Sequence, residues 1–180
     1  MTINDKDIIT TLQHDANQGF SMLLAKYKEP VYWHIRRLVV SHADAQDASQ
    51  ETFVRVYKSL VQCQSVLSLR AWLMRVATNE ALRLLELGNR RVALLDADSH
   101  ELSTMAADCY VDYADKVAVQ MQQAILSLPT KQQLAFNMRY YDDMDYDDIA
   151  EAMGTTPTAV KTNYHLAKQK IIKYMNTNEL

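Results

Sequence analysis

The chain has 180 residues, 48% of them hydrophobic, and a formal net charge of −3. It contains only three glycines and three prolines, whereas average globular composition would supply about 12 and 9. Tight turns and phosphate-cradling loops need these residues, so the composition argues against an all-β fold, a Rossmann domain and a P-loop enzyme. We therefore predict an all-α protein with few, long helices.

The sequence shows no membrane-spanning stretch, no apolar signal core and no CxxC motif, and these features bear on the expected cellular location. No stretch approaches 18 apolar residues, so we expect no membrane insertion. The segment MTINDKDIIT is acidic and has no apolar signal core. Cys63 and Cys109 are far apart and form no CxxC motif, which is typical of idle thiols in a reducing compartment. We expect a cytoplasmic protein with no metal and no other cofactor.

Charge is unevenly distributed along the chain. Residues 1–91 carry a net charge of +3, residues 92–128 of −5 and residues 129–180 of −1. The stretch VALLDADSHELSTMAADCYVDYAD combines weak helical periodicity with six carboxylates. These patterns predict a helical domain up to residue 91, an acidic linker over 92–114 and a second helical domain over 115–180. A solvated surface helix in place of the linker stays open as the alternative.

The first helices are predicted from apolar residues that recur every three or four positions. Pro30 is expected in the first turn of a second helix, and Asp44 is expected to cap a third. The third helix has an apolar face made of Ala45, Ala48, Phe53, Val56 and Leu60. Its opposite face is made of Asp47, Gln50, Glu51 and Val54. A polar face that contains one apolar residue is either solvated or a docking surface for a partner.

A long helix is predicted from about Leu69 to Leu87, with Gly88 ending it. Its outward face repeats basic and amide residues every four positions. The candidate nucleic-acid residues here are Trp72, Arg75, Asn79, Arg83, Arg90 and Arg91. Arg contacts phosphate, Asn reads base edges and aromatic rings stack on exposed bases. An ordinary amphipathic helix with the same residues is the alternative.

The C-terminal part predicts a helix-turn-helix. Asp145 can cap a short helix, Gly154 can make the turn, and Thr156 with Pro157 can begin the last helix, while Pro129 starts the helix before them. The outer face of the last helix and its cap supply the candidate DNA-reading residues, which are Thr156, Thr158, Lys161, Thr162, His165 and Lys168. Such a helix enters the major groove N-terminus first. A plain helical hairpin is the alternative.

Three sequence segments, in the order given below, resemble those of a known family, the bacterial RNA polymerase sigma factors of the extracytoplasmic-function (ECF) type. DAQDASQETFVRVYKSL is similar to the family's region 2 helix, and LRAWLMRVATNEALRLLELGNRR to the helix that handles the promoter −10 element. AILSLPTKQQLAFNMRYYDDMDYDDIAEAMGTTPTAVKTNYHLAKQKI is similar to region 4, which reads the −35 element. The three segments look most like those of Bacteroidetes-type members. The resemblance implies promoter-specific transcription initiation by two helical domains.

The resemblance also implies partners and core-binding residues. Asp47, Gln50 and Glu51 match the D-x-x-Q-E pattern with which the family grips the β′ clamp helices of core RNA polymerase, and Val54 shares their face. The implied partners are core polymerase, through its β′ clamp helices and its β flap, promoter DNA and an anti-sigma factor. None of these roles involves insertion into a membrane.

For DNA, the resemblance places Asn79 at the pocket for an extruded −10 base, with the neighbouring Trp and Arg residues beside the strand. Lys161, Thr162 and His165 match the base-reading stretch for the −35 element. Residues 62–68, QCQSVLS, lack the aromatic–Gly pair that better-known members carry, so the preferred −10 base is left open. Lys cannot make the bidentate contact of Arg to guanine, so we expect −35 recognition through phosphate contacts and DNA shape.

Two other functions are compatible with parts of the sequence. A stand-alone helix-turn-helix regulator would normally be a dimer, and it leaves the Asp47 face unexplained. An enzyme could use an acidic metal site made of Asp142, Asp143, Asp145, Asp147 and Asp148. Successive helix positions do not converge on one ion, and helix N-terminal Asp residues also interact favourably with the helix dipole. We therefore expect no enzymatic activity.

Overall fold

The computed structural model describes residues 3–39, 41–60, 68–95 and 116–177. The described residues form eight α-helices and no strand, which confirms the predicted all-α class. The helices are α1 (Asp5–His14), α2 (Ala16–Val39), α3 (His42–Lys58), α4 (Leu69–Leu95), α5 (Lys116–Leu126), α6 (Thr130–Tyr140), α7 (Tyr146–Met153) and α8 (Pro157–Thr177). None of these helices is long and apolar enough to cross a membrane.

The chain divides into two compact units, Met1–Asp108 and Cys109–Leu180. The division falls inside the predicted linker, most of which lies outside the described residues. Helix α4 continues to Leu95, so the first four residues of the predicted linker are helical. The proposed domain boundaries at 91 and 115 stay predictions.

In the first unit, α2 packs against α1, α3 and α4, and α3 packs against α4. The largest fully buried side chains at these contacts are Ile8, Leu23, Ile35, Leu69, Leu73 and Met74. The bundle holds the outward faces of α3 and α4 in fixed directions, because their inward faces are fully packed.

Helix α2 passes straight through Pro30, and the prediction that a new helix begins there is wrong. Proline inside a helix removes one backbone hydrogen bond and costs about 3 kcal/mol. Here the buried stripe runs on both sides of the proline, from Leu23 and Tyr27 to Val31 and Ile35. Pro30 itself is exposed. Packing of this stripe outweighs the local penalty, because tertiary burial supplies most helical stability in proteins.

Gly19 has a packing role that the sequence alone does not show. A Cβ at this position would lie 2.6 Å from Leu12 Cγ, 2.6 Å from Leu12 N and 2.8 Å from Leu12 Cα. Two of these atoms belong to the backbone of α1. Gly19 therefore lets α1 approach α2 more closely than any residue with a side chain allows.

Gly88 does not end α4, contrary to the prediction. The residue is exposed, and a Cβ there would meet nothing within 4 Å. A glycine in a helix interior costs only about 1 kcal/mol relative to alanine. The helix therefore continues to Leu95.

In the second unit, α8 packs against α5, α6 and α7. Its core cluster consists of Ala124, Ile125, Leu128, Phe136, Ala167 and Ile171. Pro129 is the N-cap residue of α6 and makes no side-chain capping bond. The unit thus presents the outer side of α8 while the inner side is buried.

Candidate functional site

Helix α3 begins with a cap that differs from the predicted one. Ser41, not Asp44, is the N-cap residue, and its Oγ accepts a hydrogen bond from Asp44 N at 3.3 Å. Asp44 lies in the first turn, where a negative charge is favoured by the helix dipole. Capping and dipole preferences attract the same residue types, which is why the sequence did not separate the two positions.

The docking surface, defined as Asp47, Gln50, Glu51 and Val54, lies on the outward face of α3. Their spacing of three, four and seven positions places the four side chains on one stripe. Asp47 and Gln50 are exposed, and Val54 is 44% exposed although it is apolar. Within this stripe Glu51 accepts a hydrogen bond from Arg55 Nε at 3.2 Å. The surface offers carboxylates, an amide and an apolar side chain to a partner.

The α4 surface, defined as Trp72, Arg75, Asn79 and Arg83, lies outward on α4. Arg75, Asn79 and Arg83 are exposed, and Trp72 is half-buried beside the first turn. Arg90 and Arg91 lie on the same helix, but their side chains fall outside the described residues. So do residues 62–67 of the loop whose base-pocket role the sequence analysis questioned.

A buried carboxylate under the α4 surface was missed by the sequence analysis. Glu80 is 3% exposed. Its carboxylate is 2.6 Å from Arg55 Nε of α3 and 2.9 Å from Arg83 Nη2 of its own helix. The spacing of Glu80 and Arg83 by three positions was a visible signal for the second pair, whereas the contact with α3 depends on tertiary packing.

The helix-turn-helix is built from three local signals, as predicted. Asp145 caps α7 by accepting from Asp148 N at 2.7 Å. Gly154 follows α7 in the left-handed conformation, with φ 62° and ψ 41°. Thr156 caps α8 by accepting from Ala159 N at 3.2 Å, and Pro157 is the first helical residue. Glycine adopts this φ without a steric penalty. The residue at position 154 therefore favours the backbone conformation that the turn needs.

The recognition face, defined as the six predicted −35 candidates, is fully outward on α8 and its cap. All six residues are exposed: Thr156, Thr158, Lys161, Thr162, His165 and Lys168. The opposite side of the helix is buried through Val160, Ala167 and Ile171. Hydroxyls, ammonium groups and an imidazole on one helix face can contact phosphates and base edges.

Aromatic rings hold the lysines of the recognition face. Lys161 Nζ lies 5.4 Å from the centroid of the Tyr146 ring, and Lys168 Nζ lies 5.7 Å from that of Tyr164. Arg139 Cζ is 5.3 Å from the same Tyr146 ring, and its Nη1 donates to Met144 O at 2.8 Å. The contact of Arg139 with Tyr146 was not predicted from the sequence, because the two residues are seven positions apart and lie on different helices joined by a turn.

No metal centre is found in the part of the chain that the structure describes. That part contains no group of three or more His, Cys, Asp or Glu side chains placed to hold an ion. The acidic segment that includes Asp142 and Asp148 is within the described range. The geometry therefore gives no support to a metal-dependent enzyme.

Two family models match the chain. One is described as Sigma-70 region 2 and covers residues 23–91; the other is described as Sigma-70, region 4 and covers residues 118–171. Together they cover more than half of the chain, and every candidate residue lies within them. The chain belongs to the sigma-70 family. A stand-alone helix-turn-helix regulator is not favoured, because region 2 is present as well.

This sigma factor is similar to curated relatives over almost its whole length. It is 26% identical over 178 residues to the RNA polymerase sigma-H factor of Pseudomonas aeruginosa, with 94% of this chain and 92% of the relative covered. It is 24% identical over 178 residues to the ECF RNA polymerase sigma-E factor of Haemophilus influenzae, with 94% of each chain covered. These relatives, with both regions in order, identify an ECF-type sigma factor.

Solved structures share the fold. One is described as CnrH in complex with the cytosolic domain of CnrY; its TM-score is 0.73 at 19% identity, with 97% of this chain and 99% of that chain covered. Another is the sigma factor RpoE in complex with the anti-sigma factor NepR from Bartonella quintana, with a TM-score of 0.70 at 17% identity and coverage of 89% and 98%. The helical fold is therefore shared with solved structures that include a sigma factor.

Proposed function

We propose that this ECF-type sigma factor binds core RNA polymerase through the docking surface and directs promoter-specific initiation through its two DNA-reading helices. Helix α8 reads the −35 duplex, and α4 reads the melted −10 element. The observation that carries the proposal is the presence of both sigma-70 regions in one chain, with exposed candidate residues on α3, α4 and α8. The function requires no catalytic group and no cofactor.

Core binding is supported by the composition and exposure of the docking surface. Interface anchors combine buried apolar contact with paired polar groups. Val54 supplies exposed apolar area, and Asp47 and Gln50 flank it with groups that can pair with a partner's cations and amides. The resemblance implies that this partner is the β′ clamp helices, with the β flap as a second contact of core polymerase.

Recognition of the −10 element follows from the side chains of the α4 surface. Extruding a base costs a few kcal/mol of unstacking, which a pocket must recover by stacking and hydrogen bonds. Trp72 can provide a stacking wall, and Asn79 can hydrogen bond to a base edge. Arg75 and Arg83, with Arg90 and Arg91 further along α4, would contact the DNA backbone.

Recognition of the −35 element follows from the capped N-terminus of α8. The cap residue Thr156 and the first-turn residue Thr158 begin the face, and Lys161, Thr162, His165 and Lys168 follow on it. A recognition helix places its N-terminal residues against base edges. Since this face carries Lys in place of Arg, its contacts are charge contacts to phosphate more than bidentate readings of guanine.

Regulation by an anti-sigma factor is proposed from the structural neighbours. The RpoE neighbour was solved with an anti-sigma factor, and this chain has the same fold. An anti-sigma factor that covers the docking surface would block polymerase binding.

We also propose a cytoplasmic location, because polymerase and promoters are found there. Membership of the Bacteroidetes type is proposed from the residues of the three sequence segments that resemble the family.

A binding experiment with core polymerase tests the docking surface. The double variant Asp47→Ala, Gln50→Ala should weaken binding of the full chain to core enzyme by tenfold or more, because hot-spot residues near the centre of an interface cost about 2 kcal/mol or more each when truncated. Asp7→Ala, Gln13→Ala is the matched control, because both residues are exposed on α1 of the same unit and lie outside the docking surface. Equal binding by the double variant and the wild type would contradict the assignment.

A further inference from the structure

Four side chains of alternating charge connect the docking surface to the α4 surface. Glu51 on the docking surface pairs with Arg55 at 3.2 Å, and Arg55 pairs with Glu80 at 2.6 Å. Glu80 pairs in turn with Arg83 of the α4 surface, through Nε at 3.0 Å and Nη2 at 2.9 Å. The row therefore joins the two surfaces through side chains alone.

Glu80 is the buried member of this row. Its side chain is 4% exposed, whereas those of Glu51, Arg55 and Arg83 are 42%, 47% and 47% exposed. A buried carboxylate is strongly destabilising unless cations and hydrogen bonds compensate it. Each of its oxygens has a different Arg partner, Oε1 with Arg55 and Oε2 with Arg83. The two Arg side chains therefore share one negative charge, so a change in the Arg55–Glu80 pair alters the attraction between Glu80 and Arg83.

Two carboxylates, Glu51 and Glu80, lie next to the same N–H group of Arg55. The Arg55 Nε carries one hydrogen, yet this nitrogen lies within ion-pair distance of both Glu51 Oε1 and Glu80 Oε1. One N–H forms only one well-aligned hydrogen bond. Glu51 and Glu80 therefore compete for it, and the N–H donates to Glu51 although Glu80 Oε1 is the nearer oxygen.

We propose that Glu80 is a positioning residue that couples the docking surface to Arg83, which rests on the proposed assignment of the two surfaces to core polymerase and −10 DNA. When a cation of the partner neutralises Glu51, Arg55 turns its N–H to Glu80. The Glu80 carboxylate then holds Arg83 more weakly, and Arg83 is freed for a DNA phosphate. Binding at one surface thereby strengthens binding at the other, and the effect is reciprocal.

The size of the coupling follows from the exposure of its outer members. Exposed and half-exposed ion pairs are worth about 0.2–1 kcal/mol. The upper part of this range, about 0.4–1 kcal/mol, changes affinity by about two- to fivefold. Salt should reduce it, since the exposed members of the row are screened.

Hydrogen exchange of the Arg83 Nε–H, followed by NMR on the full chain, tests the coupling without any partner. Glu51→Gln mimics the neutralised docking surface and should accelerate this exchange by about two- to fivefold. Glu29→Gln is the matched control, because Glu29 is exposed on α2 of the same unit. An unchanged exchange rate in Glu51→Gln, or an equal acceleration in Glu29→Gln, would overturn the proposal.

The path is tested in an Arg55→Gln background, which removes the middle of the row. There, adding Glu51→Gln should leave Arg83 exchange unchanged; an acceleration as large as in the wild type would refute transmission through Arg55. A labelled pool of random single-stranded 25-mers supplies the DNA readout, with about two- to fivefold tighter binding expected for Glu51→Gln than for Glu29→Gln. If exchange accelerates while no variant binds this DNA, the coupling stands and the −10 assignment fails.

Discussion

Alanine substitution at Gly19 should destabilise the first unit, against the usual helix preference. Glycine to alanine in an open helix interior stabilises a protein by about 1 kcal/mol. At Gly19 the new methyl would lie 2.6 Å from the backbone nitrogen and 2.8 Å from the Cα of Leu12, atoms that no rotamer change can move. Overpacking costs about 1–3 kcal/mol, so we expect a net loss of up to about 2 kcal/mol.

The two tryptophans make the measurement specific. Trp33 and Trp72 are the only ones in the sequence, and both lie in the unit Met1–Asp108. Their fluorescence during urea unfolding therefore reports this unit. Gly88→Ala is the matched control, since a Cβ there meets nothing within 4 Å, and it should stabilise the same unit by up to about 1 kcal/mol. Equal stabilisation by both substitutions would refute the close approach of α1 and α2.

Three further outcomes are expected in the second unit. Thr156→Ala should cost about 0.5–2 kcal/mol in urea unfolding followed by circular dichroism, because α8 loses its cap, whereas the exposed Thr158→Ala should stay within about 0.5 kcal/mol; equal effects would contradict the capping role. Asn137→Leu should raise the free energy of unfolding by about 1 kcal/mol, because both polar atoms of this buried amide have no hydrogen-bond partner among the described residues; a loss of stability would contradict that reading. Lys161→Ala should weaken duplex binding by the polymerase complex and lower its salt slope by about 0.9, whereas Lys170→Ala, roughly 180° around α8, should not; identical salt slopes for the two variants would refute the phosphate contact.

Local signals explain why much of the second unit could be predicted from sequence. Asp145, Gly154, Thr156 and Pro157 act through their own backbone and the next turn. Capping and left-handed preferences are properties of the residue and its neighbours. The outward directions of the docking surface and the recognition face follow from helical periodicity in the same way.

Tertiary packing explains what the sequence did not reveal. Pro30 and Gly88 are helix breakers by local preference, yet the packed stripe of α2 and the low cost of one exposed glycine keep both helices continuous. The pairing of Glu80 with Arg55 connects residues 25 positions apart, and no periodicity predicts such a contact. Gly19 likewise has a role only through Leu12 of the neighbouring helix.

Transcription from a promoter library by core RNA polymerase, with and without this chain, tests the central claim most directly. The account predicts new transcripts that depend on the chain and whose promoters share two short motifs about two duplex turns apart. The Asp47→Ala, Gln50→Ala variant should abolish these transcripts, and the Asp7→Ala, Gln13→Ala control should retain them. Transcription no different from that of core enzyme alone, with tight duplex binding by the free chain, would contradict the account.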